Sequence, residues 1–392
     1  MILCQEGYQA NSLILAGLQA GAIDGVVLSP RYHAPPELAE CCARYAAAGA
    51  FVMIDLEFHL GLLGEASVMR LREYEHFRSG LRRRDFSGTA IEQFVSQALT
   101  LQRGCCVSAL VAPTVALDSF TDWRSQVFLS LAEESVAQHD ESVDPPLYLT
   151  LVLGDRLLAD SAQVDDLLDM VTTLNCNGFY LIANRLSAQD TLWTSSGSAQ
   201  QLSNLAYVAS ALNGNGFDVI YGYAGLDACV LMASGASSVA SGWFKSQRGF
   251  CLDRYLAGPS HGRQPRPAYP SLPLLSWLYV SPDLEVIRER GWFDRVASGS
   301  PNDDAIRMGR LDNWRRAETT GGLWSVLGQM QTSYGSGNIA ARRALSDSLE
   351  MATTMANELR RSLPLESSFS HLANWSEAMT ELSQKLGESQ DE

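Results

Sequence analysis

The feature that most limits what this chain can fold into is an alternation of short apolar runs with helical runs, repeated eight times before residue 250. The apolar runs are ILCQ (2–5), GVVLSPR (25–31), FVMIDLEF (51–58), CVSALVAP (106–113), PLYLTLVLGD (146–155), GFYLIANR (178–185), DVIYGYAG (218–225) and SSVASGWF (237–244). Each except the last leads into a stretch of helical spacing. One example is PPELAECCARYAAAG, which opens on Pro, carries Glu in its first turn and closes on Gly. The apolar runs are continuous instead of alternating, the pattern of parallel strands covered on both faces. Eight such units over about 245 residues predict an α/β fold, a (β/α)8 TIM-type barrel. The competing doubly wound open sheet would carry Gly-x-Gly-x-x-Gly after its first strand, and this chain does not.

After residue 250 the texture changes. The barrel is expected over 1–250, a Pro/Gly-rich crossing segment over 251–280, and a helical C-terminal region over 281–392. Within 340–362, Leu345, Leu349, Met351, Met355, Ala356 and Leu359 recur at roughly helical spacing. Such an apolar stripe needs a cover, either the barrel's own outer helices or a second chain. The second case predicts a homo-oligomer or a protein partner engaged through the C-terminal helices.

Charge narrows the function classes. The chain has 29 basic and 44 acidic residues, a formal net charge of −15, which works against general nucleic-acid binding. The local exceptions, RSGLRRR (78–84) and RRAETT (315–320), read as solvated basic faces. The eight cysteines lie mostly within apolar runs and form no Cys-x-x-Cys, so they are expected as reduced packing residues. The N-terminus meets Gln and Glu after four residues, unlike a signal peptide, and no run approaches the roughly 18 apolar residues of a membrane span. A cytoplasmic protein with no membrane segment is the expectation.

A barrel of this type builds its site from the C-terminal ends of its strands and the loops that follow. Those ends collect Gln5 and Glu6, Arg31 and His33, Asp55, Glu57 and His59, Thr114, Asp155, Asn184 and Arg185, Tyr221 and Tyr223, and Trp243, Lys245 and Arg248. In FVMIDLEFHL, Asp55, Glu57 and His59 are spaced two apart, which on a strand aims all three the same way. Buried charge at such a place is either paired or used. The paired case predicts an Arg31–Asp55 bridge across the mouth. The used case makes Asp55 and Glu57 the candidate acid/base residues. Asp-x-Glu-x-His also resembles a metal-ligand set, but no further His or carboxylate is placed to complete it, so no metal ligand is assigned. Arg31, His33, His59, Asn184, Arg185, Tyr221, Tyr223, Trp243, Lys245 and Arg248 are the candidate ligand-binding residues. The glycines and basic residues of YGYAG and SGWFKSQR occupy the place where many barrels hold a phosphate. No P-loop, Gly-x-Ser-x-Gly elbow or His-Glu-x-x-His appears, and no cofactor is indicated.

The stretch YGYAGLDACVLMASGASSVASGWFKSQR (221–248) resembles the segment of tRNA-guanine transglycosylases in which a glycine-ended strand, a helix and a final strand bring in the nucleophile. The resemblance covers about thirty residues. The family's nucleophilic Asp would fall within Ser238–Ser241, where no acid stands, and its zinc-binding Cys-x-Cys-x-x-Cys is missing. The resemblance therefore implies a shared barrel architecture without the family's own chemistry. Two functions from different classes follow. One is a barrel enzyme, a transferase or hydrolase, acting on a small anionic, nucleotide- or sugar-like ligand at the mouth. The other is a catalytically inactive barrel serving as a subunit or scaffold of a multi-protein, nucleic-acid-related complex.

Overall fold

A computed structural model describes residues 1–64, 68–185, 197–256, 266–311 and 314–388. The barrel strands are β1 (Ile2–Gln5), β2 (Gly25–Leu28), β3 (Phe51–Ile54), β4 (Leu110–Val111), β5 (Ala116–Leu117), β6 (Leu147–Gly154), β7 (Gly178–Asn184), β8 (Asp218–Tyr221) and β9 (Ser238–Ser241). Hydrogen-bonded neighbours run β3-β2-β1-β9-β8-β7-β6-β4, all parallel, with β5 also on β6. β4 and β5 are two pieces of one barrel position, so eight positions alternate with helices, as the apolar runs predict. The run CVSALVAPTVAL is broken at Pro113, which has no N–H to give to a ladder.

The circle nearly closes between β3 and β4. There Ser108 stands in for a ladder: its N–H donates to Val52 O (2.7 Å) and its Oγ accepts from Val52 N (3.0 Å). Every residue of β6 and β7 is buried, because the barrel interior lies on one face and the helices on the other.

The surrounding helices are α1 (Asn11–Gln19), α2 (Pro35–Ala47), α3 (Gly88–Arg103), α4 (Trp123–Gln138), α5 (Asp155–Leu158), α6 (Ser161–Val171), α7 (Ala199–Gly214) and α8 (Ala228–Ala233). Their starts are chemically marked. Ser87, Asp122, Asp160 and Ser198 each accept from backbone N–H groups of the first turn of α3, α4, α6 and α7. α8, ACVLMA, is apolar on all sides and wholly buried, so it needs a second layer over it.

The C-terminal region supplies that layer. The segment expected as a plain crossing holds an antiparallel hairpin, β10 (Ala268–Ser271) and β11 (Ser276–Tyr279). The helices α9 (Glu285–Glu289), α10 (Phe293–Val296), α11 (Asp303–Arg307), α12 (Arg316–Tyr334), α13 (Ile339–Ser362) and α14 (His371–Lys385) follow. α12 and α13 cover α8, and α14 lies along α7. The stripe of α13 faces inward, with Leu345, Leu349, Ala352, Ala356 and Leu359 buried against this chain's own helices. Met355 is half-buried, and Met351 falls off the stripe and is 62% exposed. The apolar stripe is therefore covered without a second chain. Among the described residues, no helix is long and apolar enough to cross a membrane.

Candidate functional site at the barrel mouth

The lumen at the C-terminal ends of β1, β2, β3, β7 and β8 is filled by polar and aromatic side chains. β3 ends at Ile54, and the chain then turns through Glu57, whose φ is +49°. This turn overrides the two-apart strand geometry expected of Asp55, Glu57 and His59. Asp55 and Glu57 are nevertheless brought together, because the Glu57 N–H donates to Asp55 Oδ1 (3.0 Å). Asp55 Oδ2 accepts from the Tyr223 hydroxyl (2.9 Å), and the Tyr180 hydroxyl lies 3.4 Å from it and 3.0 Å from Gln5 Oε1. Tyr180 reaches across because residue 222 is glycine: a Cβ there would come within 2.5 Å of the Tyr180 ring. Tyr223, like Glu57, is a non-glycine residue with positive φ, at +53°.

Arg31 pairs with Glu57 and not with Asp55, correcting the expected Arg31–Asp55 bridge. Arg31 Nε lies 3.4 Å from Glu57 Oε2, and neither atom has a hydrogen bond of good geometry. Its guanidinium stacks on the rings of Tyr255 (4.7 Å) and Tyr32 (4.9 Å) and donates to the Tyr32 hydroxyl (2.7 Å). The turn at Glu57 explains the exchange, since it carries this carboxylate toward β2 while Asp55 is held by Tyr180 of β7 and by Tyr223, just beyond β8. Asp55 and Glu57 are each only 1% exposed.

The electrostatics follow from this burial. Desolvation pushes the Glu57 carboxyl up to about 7, aided by Asp55 and opposed by Arg31. Burial drives His59 down to about 4, so its imidazole is neutral at pH 7. Its Nε2 has no hydrogen-bond partner. Burial, reinforced by the charge of Asp55, holds the phenols of Tyr180 and Tyr223 well above their ordinary value, which keeps both as donors.

Phe250 covers the cluster, its ring 5.1 Å from His59, 5.0 Å from Tyr223 and 5.8 Å from Tyr255. Asn184 anchors this cover: its Oδ1 accepts from Leu252 N (2.8 Å), while Arg185 N donates to Phe250 O (3.0 Å).

The other candidates fall into separate neighbourhoods. His33 joins Glu6, with Nε2 2.8 Å from Glu6 Oε1. Tyr221 is paired with Leu181, one register along from the Ile220–Tyr180 pair, so it faces the helices and not the lumen. There it donates to Asp227 Oδ2 (3.0 Å), and Arg185 lies 3.5 Å from Asp155 and 3.7 Å from Asp227. Trp243 and Arg248 meet through Arg248 Nη2 and Trp243 O (2.6 Å), and Arg248 stacks on Trp277 of β11 (4.9 Å). Burial lowers the Arg248 guanidinium to about 10. The side chain of Lys245 lies outside the described residues.

At the expected phosphate position, the chain's own groups take the backbone donors. Gly225 N–H goes to Asp227 Oδ1 (2.9 Å) and Phe244 N–H to Gln247 Oε1 (3.1 Å). Gln247 packs so tightly on Gly242 that a Cβ there would lie 2.6 Å from it.

The site residues that sequence reasoning missed are Tyr180, Phe250, Tyr255 and Gln247. Tyr180 had a readable signal, a polar-ended side chain two and four positions before Ile182 and Asn184 on one strand face. The other three sit beyond the last strand, where no periodicity applies. Among the described residues, no group of three or more His, Cys, Asp or Glu is placed to hold a metal ion. No protein-family model matches the chain, and no curated protein matches it.

Proposed function

We propose that the chain is a barrel enzyme, a transferase or hydrolase, that takes a small anionic, nucleotide- or sugar-like ligand into the lumen at the strand ends. The observation that carries this is backbone strain at one carboxylate. Among the described residues four non-glycine residues have positive φ, and two of them, Glu57 and Tyr223, both bond Asp55. Left-handed conformations of such residues cost about 1–3 kcal/mol each, persist only where the surrounding structure fixes them, and cluster at functional sites. In this proposal Glu57, with a carboxyl near 7, gives and takes the proton at neutral pH. Asp55, fixed by its tyrosines, stabilises positive charge developing on the ligand. Arg31 holds the ligand's anionic group, and neutral His59 offers its unpartnered Nε2 as a hydrogen-bond group. Entry requires the Phe250–Tyr255 cover to swing away.

The non-catalytic reading is favoured by one observation: Asp227 and Gln247 occupy the backbone donors at the seventh and eighth strand ends. A thermal-shift panel of sugar phosphates and nucleoside monophosphates, run on wild type and Arg31→Gln, separates the two. The enzyme reading expects a compound that raises the wild-type melting temperature saturably and loses its effect in Arg31→Gln, and turnover of that compound that Glu57→Gln abolishes. No shift with any compound, or a shift that Arg31→Gln leaves intact, contradicts it and favours the scaffold.

A further inference from the structure

Outside the lumen, four side chains of unlike chemistry converge on one sulfur atom or on its partner. Cys41 sits in the second turn of α2, 3% exposed, with its Sγ 3.8 Å from His33 Nδ1. The other nitrogen of that imidazole, Nε2, lies 2.8 Å from Glu6 Oε1, and Glu6 Oε2 is fixed by the Ser29 N–H (3.0 Å). Arg44, one helical turn further along α2, points its Nη2 at the same sulfur from 3.6 Å. The Tyr74 hydroxyl donates to His33 O (3.0 Å) and holds the histidine's backbone in place. A thiol with an imidazole on one side, a carboxylate behind that imidazole and a guanidinium on the other side has the order nucleophile, base, orienting acid. Imidazole and guanidinium both lie against the sulfur itself. Arg44 is an exposed residue whose Nη2 lies 3.6 Å from Sγ, so a surface side chain touches the buried sulfur.

We propose that Cys41 is a peroxide-reactive thiol, oxidised to a sulfenic acid with His33 as the proton donor. The thiolate sulfur attacks one oxygen of hydrogen peroxide, the S–O bond forms and the O–O bond breaks. The departing hydroxide takes the proton from His33 Nδ1 and leaves as water. Sulfur loses two electrons and the peroxide gains them. Glu6 keeps the imidazole oriented and shares the charge of its protonated form. Burial works against a charge on His33, but its bonds to Cys41 and Glu6 outweigh this and push its pKa up to about 10, so the ring carries both protons at neutral pH. The other thiols lack this surround. Cys42 and Cys105 are each other's neighbours, and Cys106 is exposed.

The test treats the full chain at neutral pH with one molar equivalent of hydrogen peroxide and quenches with catalase. The chain is then unfolded in the presence of dimedone, so that access does not limit the trap, and adducts are located by peptide mass spectrometry with fragments that separate Cys41 from Cys42. The expected result is an adduct first at Cys41, ahead of Cys105 and Cys106. Its rate should fall about tenfold or more in His33→Gln and in Arg44→Gln. Arg44 is exposed, so its variant keeps the fold and decides the matter even where His33→Gln does not fold. Adducts that follow exposure, with Cys106 first, overturn the proposal. So does a Cys41 rate that Arg44→Gln leaves unchanged.

Discussion

Two buried ionic clusters lie at the same end of this barrel, one inside the lumen and one between strands and helices. In the outer cluster Arg185 stands between Asp155 and Asp227, and Asp227 is further bonded by Tyr221 and Gly225. None of these residues has a left-handed backbone. In the lumen, Glu57 and Tyr223 are strained, the Arg31–Glu57 pair stands at 3.4 Å without a good hydrogen bond, and an aromatic cover closes over them. Buried charge alone thus separates nothing. Left-handed backbone and an aromatic cover distinguish the lumen cluster from the outer one, whereas the ion-pair distances of the two are alike.

The two arginines test this contrast most strongly. Arg185→Leu leaves two buried carboxylates facing an apolar side chain and is expected to cost about 3–5 kcal/mol in urea denaturation. Arg31→Gln is expected to cost only about 1 kcal/mol at pH 7, because Glu57 titrates near 7 and escapes its lost partner by binding a proton. Equal losses would break the contrast.

Acid provides the next largest effect. Burial drives His59, His76 and His371 each down to about 4, against an ordinary 6.5. Between those values the unfolded chain binds more protons than the native one, so stability falls as pH drops from about 6.5 to 4, by several kcal/mol in sum. His33 has the opposite sign: its contribution is complete below about 6.5 and is lost as pH rises through about 10. Denaturant midpoints measured across pH 4–10 check both limbs. His59→Phe should flatten the acid limb, and a limb it leaves unchanged would remove His59 from the account.

Smaller effects sharpen the lumen side. Glu57→Gly and Glu57→Ala both leave Arg31 without its carboxylate, but only Gly relieves the left-handed backbone at φ +49°, so Glu57→Gly is expected to be about 1 kcal/mol the more stable of the two by thermal unfolding. Tyr223→Phe deletes one hydrogen bond to Asp55 and is expected to cost about 1 kcal/mol. Equal stability of the two Glu57 variants would remove backbone strain at Glu57 from the account.

Much of the fold is legible in the sequence. Parallel strands buried on both faces must be apolar runs, so GFYLIAN and LYLTLVL announce themselves. Arg31, Asp55 and Glu57 were legible because charge at a strand end is conspicuous. The pairing of Arg31 was not, because a left-handed glutamate leaves no trace in the sequence. For the same reason Tyr221 and Tyr223 looked equivalent, although the turn at Tyr223 sends one to the helices and the other to the lumen. The hairpin β10–β11 was hidden by its prolines: Pro270 lies within β10, which an isolated two-stranded sheet tolerates and a central strand does not.

The central claim is that the lumen carboxyl at Glu57 is poised to exchange a proton near neutrality. Carbon-13 NMR of the chain labelled at its glutamate carboxyls, with the Glu57 resonance assigned from its absence in Glu57→Gln, measures this directly. The account predicts a resonance that titrates with a midpoint about 7 in the folded protein. A midpoint near the ordinary value of 4.5 would contradict it and leave the lumen cluster no better poised for chemistry than the cluster around Arg185.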